Sequence, residues 1–259
     1  MNAESKGPEA GYAPVNGLRM YHELHGEARA GRVPLVLLHG GGDTIGTSFG
    51  KILPLLARGR RVVAVEQQGH GHTADIADRP FTFEQSADDT AALLRHLGIA
   101  GADVLGFSNG GTVALQLAIR HAGLVRRIIP VSTFFSRAGA PPAFWESMQN
   151  PPIEAMPPEL KAAYLRVAPR PEDFPTFFAK AARRMRDFKD LPEADLRRIA
   201  APALVINADA DVVLPEHAVA LMRLLPRAQL AIVPGADHMG LMSRTEVLVP
   251  MIEAFLDRT

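Results

Sequence analysis

The sequence predicts an α/β domain in which helices cover a mostly parallel sheet. Short runs rich in Val, Leu and Ile alternate with segments of helical pattern, as buried parallel strands and their connecting helices do. The run at residues 33–39 (VPLVLLH), for example, ends at the glycines of residues 40–42. A chain of 259 residues, 47% hydrophobic and 22% charged, can bury the core that such a domain needs.

The first predicted element is a β-hairpin. Asn16-Gly17 lies between two strand-like runs, and this dipeptide favours a type I′ turn. We expect residues 1–12, ahead of the hairpin, to be disordered. The later apolar runs predict parallel strands at residues 33–39, 61–66, 102–107, 127–132, 203–207 and 229–233.

Helical patterns fill the intervals between these runs. Thr82 and Gln85 have capping-box spacing at the start of one helix, and Ser243 and Glu246 have it before the last helix. Pro250 favours a kink in that last helix. The predicted helices cover residues 48–57, 82–97, 109–121 and 215–225 and a C-terminal segment that begins near 243.

One long segment interrupts the alternation. Nine of the 21 prolines lie between residues 134 and 190, where they exclude central strands and shorten helices. We predict a cap of short helices there, with aromatic and methionine side chains beneath it. The chain then divides into a first core part at 13–133, a helical cap at 134–190 and a second core part at 191–259. The basic stretch 180–189 predicts a solvated helix face.

Charge and cysteine content exclude several classes of protein. Lys+Arg and Asp+Glu both number 28, so nothing in the charge favours nucleic acid or an anionic membrane as a partner. The absence of cysteine excludes disulfides, a thiol nucleophile and Cys-ligated metals. The N-terminal segment has no apolar core of the kind found in secretory signals, and no apolar run has the length of a membrane span. We expect a cytoplasmic protein whose partner is a small molecule, with its oligomeric state open.

A candidate nucleophile lies in Gly106-Phe107-Ser108-Asn109-Gly110. This is a G-x-S-x-G motif between a predicted strand and a predicted helix, which is the context that the motif requires. The sharp turn exposes the Ser108 hydroxyl at the carboxyl edge of the sheet. The alternative is a plain glycine-rich turn, which the downstream acid and base make less favourable.

A serine hydroxyl needs a base, and a histidine oriented by a carboxylate serves this purpose in many enzymes. His238 follows the last predicted strand and so lies at the same sheet edge as Ser108. His217 follows Pro215 on a helix, where we expect it to face solvent. Asp209 and Asp211 follow the preceding strand and are both candidates for the acid.

These motifs, in the chain order Ser, Asp, His, resemble the α/β-hydrolase-fold serine hydrolases of the esterase or lactonase type with a cap. The family's D-x-x-V-P segment aligns with Asp211, so the resemblance favours Asp211 as the acid, and Asp209 is expected to bind loop backbone. The resemblance also implies an oxyanion hole made by the backbone N–H groups of Gly41 and Asn109. It implies no metal and no organic cofactor.

The same resemblance implies that the cap roofs a substrate pocket, although its aromatic side chains also suit simple packing against the body. The candidate pocket residues are Gly42, Phe134, Phe135, Trp145, Met148, Phe178 and Met239. An apolar cap favours a small to medium carboxylic ester or lactone, cleaved through an acyl-enzyme. The family also implies two alternatives with the same triad, C–C bond hydrolysis and cofactor-free perhydrolysis. A ligand receptor with vestigial hydrolase activity is the alternative from another class.

The stretch 65–75 (VEQQGHGHTAD) suggests other chemistry. Its glycines match a dinucleotide-binding pattern, but Pro80 blocks the helix that this pattern needs. His70, His72 and Asp75 are possible metal ligands, yet the neighbouring chemistry needs no metal. We therefore predict a support loop in which Gln68, at the family's arginine position, and His70 orient backbone.

Overall fold

The computed structural model describes residues 8–258. Within them, the strands form a single sheet in the order β1-β2-β4-β3-β5-β6-β7-β8. β1 and β2 run antiparallel to their neighbours, whereas β3 to β8 are mutually parallel. The strands are β1 (Glu9–Val15), β2 (Leu18–His25), β3 (Leu35–Leu38), β4 (Val62–Val65), β5 (Ala102–Phe107), β6 (Val125–Val131), β7 (Ala203–Ala210) and β8 (Ala228–Asp237). The prediction of a mostly parallel sheet is confirmed.

The predicted hairpin joins β1 and β2. Asn16 and Gly17 have φ angles of 49° and 79°, the left-handed pair that a type I′ turn requires. The expectation of a disordered lead-in is wrong for its last residues, because Glu9 to Tyr12 pair with β2. Residues 1–7 lie outside the described residues.

Ten helices connect and cover the described strands. They are α1 (Ile45–Phe49), α2 (Leu53–Leu56), α3 (Phe83–His96), α4 (Asn109–Arg120), α5 (Pro142–Ser147), α6 (Pro158–Val167), α7 (Phe174–Arg186), α8 (Glu193–Leu196), α9 (Pro215–Leu224) and α10 (Thr245–Leu256). None of the helices within residues 8–258 has the length and apolar character needed to cross a membrane.

Two helix predictions need correction. The helix predicted at 48–57 is two short helices, because Pro54 sits in the first turn of a new helix rather than in the interior of a long one. The C-terminal helix starts at Thr245 with Arg244 as its N-cap, so the predicted Ser243–Glu246 capping box does not form. At α3, by contrast, the Thr82 side chain accepts a hydrogen bond from the N–H of Gln85, as the spacing predicted.

The parallel strands are buried on both faces, as their unbroken apolar sequences predict. Successive residues of β3 point to opposite faces: Val36 and Leu38 join one apolar cluster, and Leu35 and Leu37 join the other. α3, α4 and α9 supply side chains to the first cluster, and α1, α2 and α10 to the second. This packing fixes the carboxyl ends of β3 to β8 along one edge, where the loops that bear the candidate residues emerge.

His217 does not face solvent as expected. The side chain is buried on α9, and its Nε2 accepts a hydrogen bond from the backbone N–H of Phe135 at 3.1 Å. The two rings stack with centroids 4.0 Å apart. Burial lowers the pKa of His217 to about 4. The expectation fails because the segment after β6 folds back over α9, a contact that no local pattern encodes.

The basic stretch 180–189 is also only in part a solvated face. Arg183 and Arg186 are exposed on α7, but Arg184 is buried. Lys180 bonds the Asp75 carboxylate at 2.6 Å and the carbonyl of Ile76 at 2.8 Å. α7 therefore turns one cationic edge toward the body of the protein.

Candidate active site

Ser108 lies in a tight turn between β5 and α4. Its φ and ψ are 53° and −121°, a conformation that L-residues rarely adopt. The turn requires two glycines: a Cβ on Gly106 would lie 2.1 Å from the carbonyl oxygen of Gly110, and a Cβ on Gly110 would lie 2.0 Å from that of Leu38. The backbone can therefore fold tightly enough to present the hydroxyl at the sheet edge.

Ser108, His238 and Asp211 form one hydrogen-bonded chain. The Ser108 Oγ lies 3.0 Å from the His238 Nε2, and the His238 Nδ1 lies 2.7 Å from the Asp211 Oδ1. The loops after β5, β7 and β8 bring these residues together across more than a hundred positions of sequence. In this arrangement the imidazole can accept the serine proton while the carboxylate holds its other nitrogen.

The carboxylate of Asp211 is buried and well supported. Burial alone raises its pKa, but hydrogen bonds from His238, Ser132 and the backbone N–H of Val213 outweigh burial and hold the pKa below its usual range. Asp211 thus stays ionised beside the imidazole. Asp209 instead accepts hydrogen bonds from the N–H groups of Gly235 and Ala236 and ties β7 to the end of β8.

Ser132 is a participant that the sequence analysis missed. Its Oγ donates to the Asp211 Oδ2 at 2.5 Å, and its φ of 48° puts a non-glycine residue in the left-handed region. Ser132 directly follows the strand β6, next to the loop that carries Asp211. The only local signal is its position at the carboxyl end of a central strand, which it shares with many inert residues.

The loop of residues 39–43 follows β3, and hydrogen bonds fix its backbone on both sides of Gly41. The N–H of Gly40 donates to the Ser48 Oγ at 3.1 Å, and that of Gly42 donates to the His70 Nε2 at 3.3 Å. The N–H of Gly41 has no hydrogen-bond acceptor within residues 8–258.

Asn109 supplies a second free donor beside the first. Its backbone N–H likewise has no acceptor among the described residues. The two residues are neighbours, because a Cβ on Gly41 would lie 2.3 Å from the Asn109 Nδ2. The predicted pair of oxyanion donors thus lies together next to Ser108.

Two buried histidines hold this loop. The His39 Nε2 accepts from the N–H of Gln67 at 3.1 Å, so its Nδ1 carries the proton toward the carbonyl of Gly40. The His70 Nδ1 likewise donates to the carbonyl of Gln68 at 2.9 Å. Burial lowers the pKa of both histidines, so both rings are neutral and hold the backbone of the loop by hydrogen bonds. As predicted, His70 orients backbone.

The neighbouring loop at 66–79 is fastened by several bonds. The Gln68 Nε2 donates to the Asp75 Oδ1 at 2.6 Å and to the carbonyls of Ile76 and Arg79 at 3.3 and 3.0 Å. The His72 Nδ1 lies 2.9 Å from the Glu66 Oε2, and this carboxylate raises the pKa of His72. His70, His72 and Asp75 therefore have separate partners and do not converge.

The candidate pocket residues fall into two groups. Gly42 lies under the segment that contains α6, because a Cβ on it would be 3.1 Å from the Met156 Cε and 3.8 Å from the Leu160 Cδ1. Met239, next to His238, is 51% exposed. These side chains are near the candidate nucleophile and oxyanion donors, and Leu160 is one that the sequence analysis missed.

The second group packs mainly away from these residues. Phe134 and Trp145 have ring centroids 5.1 Å apart, and Trp145 stacks on Phe188 at 5.5 Å. Phe135 stacks on His217. These rings fix the helical segment to the body, which is the simpler of the two roles considered. Met148 and Phe178 are half-buried.

Comparison with known proteins agrees with this architecture. Residues 35–250 match the model of the alpha/beta hydrolase family. The 2-hydroxymuconate semialdehyde hydrolase of Pseudomonas sp. (strain CF600) is 30% identical, over 92% of this chain and 90% of its own length. A dihydrolipoyllysine-residue acetyltransferase component of an acetoin cleaving system, from Pseudomonas putida, is 31% identical over 98% of this chain and 70% of its own.

Among solved structures, the enol-lactonase of Burkholderia xenovorans LB400 has a similar fold. It aligns with a TM-score of 0.75 and 24% sequence identity, covering 95% of this chain and all of that one. A likeness at this identity concerns the fold. The chain belongs to the alpha/beta hydrolase family.

Proposed function

We propose that this protein is a serine hydrolase that cleaves a small to medium apolar carboxylic ester or lactone. The observation that carries the proposal is the hydrogen-bonded chain from the Ser108 Oγ through His238 to Asp211, at 3.0 and 2.7 Å. Its order and geometry are those of a charge-stabilised general base beside a nucleophile.

In the first step Ser108 attacks the carbonyl carbon while the His238 Nε2 takes its proton. Asp211 keeps the other imidazole nitrogen protonated and stabilises the imidazolium that forms. The imidazolium then protonates the leaving alkoxide, which departs as an alcohol or, in a lactone, remains attached to the acyl chain. The product of this step is an ester on Ser108.

The negative charge that develops on the carbonyl oxygen meets the N–H groups of Gly41 and Asn109. Both donors are free among the described residues, and the surrounding bonds of Gly40 and Gly42 hold the loop in place before substrate binds. Fixed donors of this kind lower the barrier because they need no reorganisation during the reaction.

In the second step water enters where the alcohol left. His238 takes a proton from this water, and the resulting hydroxide attacks the acyl carbon. The tetrahedral intermediate again uses the two backbone donors, and its collapse returns the proton to Ser108 and releases the acid.

The side chains around the site favour an apolar substrate. Met156 and Leu160 close over Gly42, and Met239 borders His238. Phe107 lies beneath the base, with its ring centroid 5.0 Å from that of His238. Such apolar walls bind alkyl or aryl groups by burial and offer little to a highly charged acyl group.

Steady-state hydrolysis of a panel of 4-nitrophenyl esters and small lactones tests the proposal. Ser108→Ala should lower kcat/KM by about 10⁴-fold or more, because the nucleophile is lost. Ser147→Ala, an exposed serine on α5, is the matched control and should keep full activity. Wild-type turnover that survives Ser108→Ala would refute the proposal.

C–C bond hydrolysis is a second candidate, and the similarity to 2-hydroxymuconate semialdehyde hydrolase favours it. The same residues would serve, but the leaving group would be a carbon anion that needs a proton. Turnover of 2-hydroxymuconate semialdehyde, compared with the best ester under identical conditions, separates the two. A kcat/KM larger for the C–C substrate would favour this second reaction.

A further inference from the structure

A large cleft lies apart from Ser108 and its partners. It has a volume of about 620 Å³ and separates α7 from the start of α3. Neither the candidate triad nor the loop of residues 39–43 contributes to its lining. One wall is apolar and largely aromatic, and consists of Pro80, Phe81, Phe83, Phe188 and Leu191.

Arg184 enters this cleft from α7 as a buried cation. Only 5% of the residue is exposed, and its guanidinium carbon lies 5.1 Å from the ring centroid of Phe83 and 5.9 Å from that of Phe81. Within residues 8–258 no carboxylate lies within ion-pair distance of Arg184. Its Nε and Nη2 have no hydrogen-bond acceptor there.

Within residues 8–258, the one hydrogen bond of the Arg184 side chain is long. Its Nη1 donates to the Gln67 Oε1 at 3.4 Å, longer than ordinary hydrogen bonds of this type. Burial without a counter-charge lowers the pKa of the guanidinium to about 10. An arginine still holds its proton at neutral pH under these conditions, so the charge remains uncompensated.

Two other cations that line the cleft already have carboxylate partners. Lys180 pairs with Asp75 at 2.6 Å, and Arg183 pairs with Asp187 at 3.2 Å. The remaining charged residues of the lining, Asp78, Glu84 and Lys189, are exposed, and neither of these carboxylates is within ion-pair distance of Arg184. The aromatic faces of Phe81 and Phe83 attract a cation but do not neutralise it.

We propose that this cleft binds an organic anion, a carboxylate attached to a flat or aliphatic apolar body, with Arg184 as its counter-ion. The guanidinium forms two parallel hydrogen bonds to a carboxylate, which suits its free Nε and Nη2 edge. The apolar wall would cover the body of the ligand. Because the guanidinium is held only by the long bond to Gln67, it can turn toward an anion in the cleft.

The chemistry of the cleft distinguishes this ligand from inorganic phosphate. One unpaired guanidinium matches a single carboxylate charge, and the walls around it bury apolar surface. Phosphate would meet the same aromatic wall without gaining from it. The inference does not rest on the proposed esterase function, because the cleft does not include Ser108.

Isothermal titration calorimetry and thermal denaturation test this inference with benzoate, 3-phenylpropionate and octanoate. The matched amides and inorganic phosphate serve as comparison ligands. We expect at least one carboxylate to bind and raise Tm, while its amide does not. Absence of binding by all three carboxylates, or equal binding by the amides, would overturn the inference.

Arg184→Met keeps the length of the side chain and removes its charge. We expect carboxylate binding to weaken by about 30-fold or more, as for loss of the cation from a buried charge pair. Arg186→Met, an exposed arginine on α7 outside the cleft lining, is the control and should bind like the wild type. Unchanged affinity in Arg184→Met would overturn the inference.

The Tm of Arg184→Met without ligand distinguishes a binding role of Arg184 from a structural one. With no ion pair to lose, Arg184→Met should have a Tm equal to or above that of the wild type. A fall in Tm would mean that Arg184 serves the fold and would count against a ligand site. If Arg184→Met fails to fold, Arg184→Lys keeps the charge but loses the two-point geometry, and carboxylate affinity equal to the wild type would refute the inference.

Modification of Ser108 separates this cleft from the proposed active site. Phenylmethanesulfonyl fluoride should sulfonylate Ser108 and abolish esterase activity, and carboxylate binding should persist in the modified protein. Loss of binding on sulfonylation would place the carboxylate in the active site and overturn the assignment to the cleft. If Ser108 does not react, the proposed function fails while the titrations with Arg184→Met still decide the inference.

Discussion

His217 makes the free energy of unfolding of this protein depend on pH. A single substitution can isolate this contribution. The His217 Nε2 accepts from the N–H of Phe135, so the neutral ring carries its proton on Nδ1. Protonation puts a second N–H against this backbone donor and creates a buried charge. The pKa of His217 is accordingly lowered by burial, from the ordinary value of 6.5 to about 4.

The sign and size of the effect follow from linkage. Between pH 6.5 and 4 the unfolded chain binds a proton at this position and the folded protein does not, so stability falls as the pH is lowered through this window. Between pH 7 and pH 4.5 the folded state loses about 2 kcal/mol on account of this one group. Above pH 6.5 the group contributes no pH dependence.

His217→Gln keeps a hydrogen-bond acceptor for Phe135 and removes the titration. At pH 7 the variant should be less stable by about 1 kcal/mol, since the stacked ring is lost. At pH 4.5 the order should reverse, because only the wild type suffers the penalty of about 2 kcal/mol. Urea denaturation at the two pH values, followed by circular dichroism, measures both differences.

The control is His96→Gln, whose imidazole is exposed at the end of α3. Its difference from the wild type should be the same at both pH values. A difference between His217→Gln and the wild type that also stays constant would refute the assignment of a buried neutral imidazole at 217.

Three other predictions concern the site and its supports. Ser132→Ala removes the hydroxyl that bonds Asp211 and should lower kcat about tenfold in ester hydrolysis with little change in KM, since such a bond to a charged group contributes about 1.5–3 kcal/mol. Gly41→Ala sets a Cβ against the Asn109 side chain and should lower kcat about 100-fold by displacing the proposed oxyanion donors. Lys180→Met cuts the bonds from α7 to the loop at 75–79 and should lower the free energy of unfolding by about 2 kcal/mol.

Each of these has an outcome that contradicts it. Unchanged kcat in Ser132→Ala would mean that Asp211 needs no second support, and Ser147→Ala serves as its control. Full activity in Gly41→Ala would remove this loop from the proposed mechanism. Urea denaturation of Lys180→Met is compared with that of Lys189→Met, an exposed lysine on the same side of the molecule, which should leave stability unchanged. Equal effects of the two substitutions would contradict the role assigned to Lys180.

The catalytic prediction depended on features that are local in the chain. Ser108 was identifiable because strand, tight turn and helix follow one another within a few residues. Asp211 and His238 were identifiable because the carboxyl ends of parallel strands meet at one edge whatever the details of packing. The hydrogen-bonded chain among these three residues therefore follows from strand order and from short connections.

The errors share a different physical origin. His217, Arg184 and Lys180 lie on amphipathic helices whose own patterns leave the orientation of a single polar residue open. Each is buried because another segment, distant in sequence, packs over it. The exposure of one side chain is decided by the arrangement of helices on the sheet and not by the helix alone.

The pocket was the least accessible to sequence. Aromatic character predicts Phe134, Phe135 and Trp145 as pocket residues. In the structure these rings pack mainly against Phe188 and His217. Met156 and Leu160 reach the loop of residues 39–43 instead, because the backbone of the helical segment carries them there. The apolar character of a side chain predicts that it is buried, but it does not predict which residues it contacts.

By itself the sequence determined the sheet, the turn that presents Ser108 and the three loops that bear the candidate triad, since apolar periodicity and glycine conformations act over a few residues. Only the tertiary structure decided the support of Asp211 by Ser132, the neutral state of His217 and the unpaired charge of Arg184. Those properties depend on desolvation and on hydrogen bonds between segments far apart in the chain. Their free energies therefore arise only when the segments meet.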